Sequence, residues 1–282
     1  MWKQTPFRLI VSRGRIDDRS PNAIAGATLT GAAIATRLAL QAKTIGTPVP
    51  HKSDDWRSSL HEANPTLTGI AIAVRTAFRQ HQTPLIAASS CAVSLATLPV
   101  AAGCIPDLKV LWVDAHGDFN TPETTATGYL GGMTLAAVCG LWDSGHRSGV
   151  DPKRILIAGA RDIDVQEETL LQEAGVKLLS PSMSDPQVIG AFIGDGPIWV
   201  HIDWDALEPG HVPTAYPVSD GLLPAQLRAI LHAIPVGQVA GIELIEFEAP
   251  EDHAERTAAI ATLMAIVEPL FGGGEHGRRA PS

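Results

Sequence analysis

The chain contains a series of short apolar runs rich in branched residues, and these runs restrict the folds that it can adopt. None shows the apolar–polar alternation of a half-exposed strand, and such runs are typical of parallel strands buried on both faces. The runs cover residues 7–11, 85–88, 110–113, 154–158, 198–202 and 240–245.

Stretches rich in Ala and Leu with helical spacing separate these runs. They cover residues 23–43, 67–80, 132–139, 187–193, 224–234 and 254–269. Strand and helix therefore alternate, which predicts an α/β fold: a single three-layer αβα domain around a central, mainly parallel sheet. The domain is expected to span residues 1–271, and residues 272–282, which carry a Gly triplet and an Arg pair, are expected to form a flexible tail.

Composition excludes several classes of function. The 282 residues include 21 basic and 30 acidic side chains, a formal charge of −9, with no dense basic stripe. Nucleic acid and membrane are therefore not expected as partners. The first apolar run is too short for a signal segment or a membrane span, and three widely spaced cysteines do not suggest a disulfide framework. A cytoplasmic protein is expected.

Polar residues follow the predicted strands directly. In an open parallel sheet the ligand site lies outside the carboxyl ends of the strands, so these residues should converge on one crevice. Two of the clusters place polar, metal-binding residue types on alternate positions. In an extended chain, side chains at alternate positions point to the same side of the strand. They are Asp114, His116 and Asp118 in the first cluster, and Asp203 and Asp205 in the second.

Four carboxylates and one imidazole in a buried crevice require cations, because uncompensated buried charge is very costly. Two divalent ions would balance four carboxylates, and oxygen ligands with a histidine favour Mn²⁺ or Mg²⁺ over metals that prefer thiolate. We predict two Mn²⁺ ions. The alternative interpretation is that these acids are only helix caps and solvated loop residues.

These residues resemble the arginase and agmatinase (ureohydrolase) family. Residues 113–122 are similar to its long metal motif, residues 201–209 to its second motif with Glu208 where Asp is usual, and residues 245–250 to its closing Glu motif. The resemblance extends from about residue 9 to about residue 271.

The resemblance implies that a hydroxide held by two Mn²⁺ ions attacks a guanidinium carbon. Asp114 and Asp203 would bridge the ions, and His116 and Asp205 would complete one of them. Asp118 would bind the other ion and orient the hydroxide, and Glu246 would hold the guanidinium. Asp118 and Glu246 are thus the expected catalytic residues. Relatives form trimers or hexamers, so a homo-oligomer is one option.

The chain departs from the family pattern at two positions. Cys91 stands where the family has a metal-binding histidine, so one ion should be held more weakly, or the thiol should only pack. Gly131 stands where arginases have a histidine regarded as a proton shuttle. Without this general acid, arginine cleavage should be poor, and restoring a histidine at position 131 should raise it.

Both departures resemble a branch of the family that converts N-omega-hydroxy-L-arginine to hydroxyurea and L-ornithine for D-cycloserine biosynthesis. Residues 91–100, 128–133 and 141–146 carry this likeness. A hydroxyguanidine is less basic than a guanidine and should need less help from an external acid. The alternatives are an arginase or another guanidino-acid hydrolase, and a weakened relative that binds metal or amino acid without turnover.

Recognition of the amino-acid end also follows from the resemblance. Asn120 and Thr127 match groups that contact the substrate α-carboxylate, and Asp162 and Asp164 match an acidic pair near the α-amine. A small guanidino amino acid is therefore the expected partner. Alternatively, the two aspartates only close a turn with Arg161. Tyr216 replaces a small residue and is expected to shape the pocket.

Overall fold

The computed structural model describes residues 5–272, which contain one eight-stranded sheet. Its strand order is β2-β1-β3-β8-β7-β4-β5-β6, and every neighbouring pair is parallel. The strands are β1 (Phe7–Ser12), β2 (Lys43–Ile45), β3 (Thr83–Ala88), β4 (Lys109–Val113), β5 (Ile155–Ala158), β6 (Lys177–Leu179), β7 (Ile198–Asp203) and β8 (Val239–Ile245).

Eight α-helices in this part of the chain cover the sheet. They are α1 (Ala23–Leu38), α2 (Trp56–Arg79), α3 (Ser94–Cys104), α4 (Thr134–Cys139), α5 (Val165–Ala174), α6 (Pro186–Ile193), α7 (Pro224–His232) and α8 (His253–Val267). Helices α1, α6, α7 and α8 contribute to the hydrophobic core on one face, and α2 to α5 contribute to the core on the other. The predicted three-layer α/β fold is confirmed.

Burial on both faces explains the uninterrupted apolar runs. Along β1, Leu9 and Val11 belong to one core while Ile10 belongs to the other, and all three are buried. A polar residue at any of these positions would be desolvated without a partner. The periodicity of the sequence therefore reflects two cores that share one sheet.

Some elements differ from the sequence prediction. Helix α1 ends at Leu38 instead of residue 43, because Ala39 adopts a left-handed backbone conformation. Helix α2 begins eleven residues before the predicted 67, at Trp56, and continues through Pro65. Helices α3 and α5 and the three-residue strands β2 and β6 were not predicted. Helix α3 contains Pro99, α5 is largely polar, and β2 and β6 lie at the sheet edges.

All parallel strands end at the same edge of the sheet, and the loops that follow them carry the predicted site. Within residues 5–272, no helix is both long enough and apolar enough to cross a bilayer. The domain boundary at residue 271 stays a prediction, and residues 273–282 of the predicted tail lie outside the described residues.

Candidate active site

A cavity of about 430 Å³ lies at the carboxyl ends of the strands. All of the predicted site residues line it except Asp114, which is buried and bonded to residues of the site. The predicted residues on its wall are Cys91, His116, Asp118, Asn120, Thr127, Asp162, Asp164, Asp203, Asp205 and Glu246. The remaining wall is formed by Arg19, Tyr129, Gly131, Gly132, Glu167, Tyr216, Pro217 and Val218.

The first metal motif is not extended chain, contrary to the prediction. Asp114 Oδ1 accepts a hydrogen bond from the His116 amide at 2.7 Å, which turns the chain directly after β4. Asp118 has φ of 49°, a left-handed conformation that is strained for a residue with a side chain. The tight loop, instead of strand alternation, brings these side chains together.

The second motif is also turned. Asp203 is the last residue of β7, and its Oδ1 accepts from the Asp205 amide at 2.8 Å. Asp205 in turn accepts from the Ala115 amide at 3.2 Å, which links the second motif to the first. The side chains of neighbouring strands β4 and β7 therefore share one backbone hydrogen-bond network.

The carboxylates of this network lie close enough together to repel one another when they are ionised. Burial raises the pKa of Asp118 and Asp203 well above the usual range, and nearby carboxylates raise it further. His116 Nδ1 lies 3.0 Å from Asp205 and 3.4 Å from Asp114. Burial opposes charge on this imidazole, but the two carboxylates outweigh burial and raise the pKa of His116. The carboxylates therefore cannot all ionise together unless positive charge is added to the site.

This arrangement suits divalent cations. The ligand atoms of Asp114, His116 and Asp205 lie within 4.8 Å of one another, as do those of Cys91, Asp203 and Glu246. Asp118 Oδ2 is buried and has no hydrogen-bond partner among the described residues. Cations bound between these groups would satisfy the orphaned oxygen and remove the repulsion that raises the carboxylate pKa values.

Cys91 faces the carboxylates. It follows β3, is only 3% exposed, and its Sγ lies 3.1 Å from Asp203 Oδ2 and 3.9 Å from Asp114 Oδ2. Burial and the surrounding carboxylates raise the pKa of the thiol well above its usual range. The position therefore permits a metal contact, and loss of the thiol proton there depends on a compensating cation.

Sequence reasoning missed His201, which lies directly behind Cys91. The buried His201 ring stacks on Trp112 with a centroid separation of 3.4 Å, and its Nε2 is 3.4 Å from Cys91 Sγ. Its Nδ1 is 2.8 Å from Glu243, which also accepts from Ser94 and Thr97. Cys91, Asp114 and His201 form a third group whose ligand atoms lie within 4.8 Å. The spacing of two between His201 and Asp203 was the available signal.

Glu246 follows β8 in a left-handed conformation, with φ of 64°. Its Oε1 accepts from the Tyr129 hydroxyl at 3.1 Å. Burial, as the main cause, and the charge of Asp17, as the second, raise the pKa of Glu246 well above its usual range. The Tyr129 ring also occupies the space beside Gly131, because a Cβ at that glycine would lie 2.6 Å from Tyr129 Cε1. A phenol thus fills the volume next to the glycine that replaces the family's histidine.

The residues predicted to contact the α-groups of the substrate differ in exposure. Asn120 is buried and its Oδ1 accepts from Thr124, whereas Thr127, Asp162 and Asp164 are exposed. Asp164 is the N-cap residue of α5. Arg161 donates to backbone carbonyls, such as Asp205 O at 2.8 Å and Val218 O at 2.7 Å, and within residues 5–272 it forms no ion pair with Asp162 or Asp164.

Glu167 is a further buried acid that the sequence did not single out. Its Oε1 accepts from the Phe119 amide at 2.7 Å, and its Oε2 accepts from the Asp164 amide at 3.4 Å. Burial raises the pKa of Glu167 to about 7. It therefore joins the loop that carries Asp118 to the loop that carries Asp162 and Asp164.

Comparison with known proteins agrees with this geometry. Residues 6–268 match the model of the arginase family. The chain is 46% identical over 263 residues to the N(omega)-hydroxy-L-arginine amidinohydrolase of Streptomyces lavendulae, covering 93% of this chain and 96% of that protein. It is 28% identical over 238 residues to the arginase of Bacillus subtilis, covering 78% of this chain and 79% of that protein.

Solved structures show the same fold. The arginase of Bacillus caldovelox superposes with a TM-score of 0.82 at 23% identity, covering 96% of this chain and 99% of that chain. The proclavaminate amidino hydrolase of Streptomyces clavuligerus superposes with a TM-score of 0.69 at 19% identity, covering 95% of this chain and 92% of that chain. With the family match over residues 6–268 and the relative that covers both chains almost completely, the chain belongs to the arginase family.

Proposed function

We propose that this protein hydrolyses N-omega-hydroxy-L-arginine to hydroxyurea and L-ornithine with the help of two Mn²⁺ ions. The observation that carries the proposal is Tyr129, whose ring fills the space beside Gly131 and whose hydroxyl donates to Glu246. An imidazole at position 131 has no room beside this ring. The 46% identical relative that is named for this substrate supports the same conclusion.

The proposed ligands are Asp114, His116, Asp118, Asp203 and Asp205, with Cys91 next to Asp203 as a sixth, softer candidate. When bound, Mn²⁺ lowers the pKa of water and so supplies the nucleophile at neutral pH. Oxygen donors and one imidazole suit Mn²⁺, whereas a thiol suits softer ions. We therefore expect the ion beside Cys91 to be held more weakly than the ion beside His116.

The residues of the chain then have separate tasks. Asp118, held in a strained left-handed conformation by its loop, orients the attacking water. Glu246 accepts hydrogen bonds from the hydroxyguanidine, and Tyr129 fixes one of its carboxylate oxygens. Because a hydroxyguanidine is less basic than a guanidine, its bound form needs less help from an external acid, and the site tolerates the absence of a histidine at position 131. The product amine and hydroxyurea account for all atoms of substrate and water.

The direct experiment compares kcat/KM for N-omega-hydroxy-L-arginine, L-arginine and agmatine with added Mn²⁺, measuring urea, hydroxyurea and amine. We expect the hydroxylated amino acid to be preferred by at least about tenfold, corresponding to roughly 1.4 kcal/mol in the barrier. Comparable turnover of arginine would instead favour an arginase. Two bound Mn²⁺ ions without turnover of any of these substrates would favour the alternative that the protein binds metal or amino acid without catalysing the reaction.

Metal content tests the role of Cys91 separately from activity. Cys91→Ala should lower the affinity for one of the two Mn²⁺ ions, and Cys104→Ala, at an exposed cysteine, provides the matched control. Metal analysis after dialysis at a series of free Mn²⁺ concentrations measures both affinities. Unchanged Mn²⁺ affinity in Cys91→Ala would show that the thiol only packs.

The wider setting follows from the same proposal. All three cysteines lie within the described residues and none forms a disulfide, which supports a reducing, cytoplasmic location. A role in D-cycloserine biosynthesis rests on the resemblance to the hydroxyarginine branch of the family. A homo-oligomer stays a prediction that size-exclusion chromatography with light scattering tests.

A further inference from the structure

Arg19 is a cation on the wall of the active-site cavity, in the loop between β1 and α1. Its guanidinium carbon lies over the Tyr129 ring, 4.9 Å from the centroid. One terminal nitrogen donates to Asp54 O at 3.0 Å and to Thr127 O at 3.3 Å. The backbone carbonyls and the aromatic face hold the guanidinium in place without neutralising its charge.

Arg19 differs from Arg15, on the same loop, in lacking an anionic partner. Within residues 5–272, no carboxylate forms an ion pair with it, and its buried Nε has no hydrogen-bond partner. By contrast, Arg15 pairs with Asp54 and Glu62. A buried N–H without an acceptor is costly, and a carboxylate bound beside this guanidinium would supply the acceptor.

The rest of the cavity wall repels anions. It carries the carboxylates of Asp118, Asp162, Asp164, Glu167, Asp203, Asp205 and Glu246, and apart from His116 none of its other residues is basic. A guanidino amino acid has one anionic group, its α-carboxylate. Among the side chains of this wall, Arg19 offers that group a positive charge away from the proposed metal ligands, because His116 already lies between Asp114 and Asp205.

We propose that Arg19 binds the α-carboxylate of the substrate and thereby selects amino acids over decarboxylated amines. The inference rests on the proposed function in assuming an amino-acid substrate. Thr127, whose carbonyl accepts from Arg19, is also one of the two residues that the resemblance to arginases assigns to the α-carboxylate. The Tyr129 ring connects the two ends of the site, with its hydroxyl on Glu246 and its face against Arg19.

A decarboxylated substrate provides the test. Arg19→Met removes the charge while keeping an unbranched side chain, Arg19→Lys keeps the charge, and Arg13→Met at an exposed arginine is the control. Each variant is loaded with Mn²⁺ and assayed with N-omega-hydroxy-L-arginine and with N-hydroxyagmatine. Loss of a charge-assisted hydrogen bond should lower kcat/KM for the amino acid roughly 10- to 100-fold in Arg19→Met. The value for N-hydroxyagmatine should change less than about threefold, and Arg19→Lys should recover part of the loss.

Equal losses with both substrates would overturn the inference and assign Arg19 to support of Tyr129. An unchanged preference for the amino acid would overturn it as well. Calorimetric binding of L-ornithine and putrescine to the Mn²⁺-loaded protein separates this result from failure of the proposed function. Arg19→Met should weaken the binding of L-ornithine and leave the binding of putrescine unchanged, even if hydroxyarginine is not the substrate. Equal affinities of the two ligands for the unsubstituted protein would refute the role of Arg19.

Discussion

Replacement of Gly131 by histidine tests why this site lacks an imidazole. From sequence alone, the added histidine should raise arginine turnover. The structure predicts a different result for the single variant, because the new Cβ would lie 2.6 Å from Tyr129 Cε1 and 3.2 Å from Cδ1 and Cζ. Tyr129 is confined by Arg19 on its face, by Tyr216 at 5.3 Å and by its bond to Glu246. It can accommodate the substitution only by leaving Glu246.

The cost has two parts. Overpacking of this kind costs about 1–3 kcal/mol, and loss of a hydrogen bond costs about 0.5–1.5 kcal/mol. If this cost falls on the active conformation, Gly131→His should lower kcat/KM for N-omega-hydroxy-L-arginine by roughly one to three orders of magnitude and gain little activity on arginine. Combining it with Tyr129→Ser makes room for the imidazole. The double variant should raise kcat/KM for arginine by roughly 10²-fold, the lower end of the range for a general acid.

The assay measures L-ornithine release from both substrates with saturating Mn²⁺, for the two single variants and the double variant. Tyr129→Ser alone separates the loss of the phenol from the gain of the imidazole. Full hydroxyarginine activity in Gly131→His would refute the packing argument. Unchanged arginine activity in the double variant would refute the idea that a missing acid limits arginine cleavage.

Three further predictions concern stability. Burial, together with the charge of Asp18, raises the pKa of Asp17 from 3.8 to about 7. The stabilisation of the folded state by the protonated Asp17 is therefore complete below about pH 4 and is lost as the pH rises through 7. In urea unfolding, the stability of Asp17→Asn should decline less between pH 5 and 8 than that of the unsubstituted protein, and parallel declines would show that other groups dominate. Glu243→Ala removes the acceptor that the buried His201, Ser94 and Thr97 share. It should lower the free energy of unfolding in urea by about 3–5 kcal/mol, and a loss below about 1 kcal/mol would contradict this reasoning. Gly26→Ala would place a Cβ 1.5 Å from the Phe247 carbonyl oxygen, so it should destabilise the fold by more than about 2 kcal/mol in thermal melts and displace Glu246. Gly103→Ala is the control, because its Cβ would enter open space, and it should be neutral or mildly stabilising in the same melts.

Local patterns along the chain were sufficient to predict the fold class and most of the candidate site. Uninterrupted apolar runs encode strands buried on both faces, and polar residues placed directly after them must meet at one edge of a parallel sheet. These are properties of residue type and spacing. The short edge strand β2 and helix α3, with its internal Pro99, carry weak local patterns and depend on packing against neighbours.

Tertiary structure decided which distant side chains complete the site. Cys91 and His201 are 110 residues apart in sequence yet 3.4 Å apart in space, and Tyr129 reaches Glu246 across 117 residues. Arg19 enters the cavity from the loop after β1 by resting on Tyr129 and on the Thr127 carbonyl, 108 residues away. Local propensity specifies strands and turns, but it carries no information on such contacts, because they exist only once the sheet has set the distances between its loops.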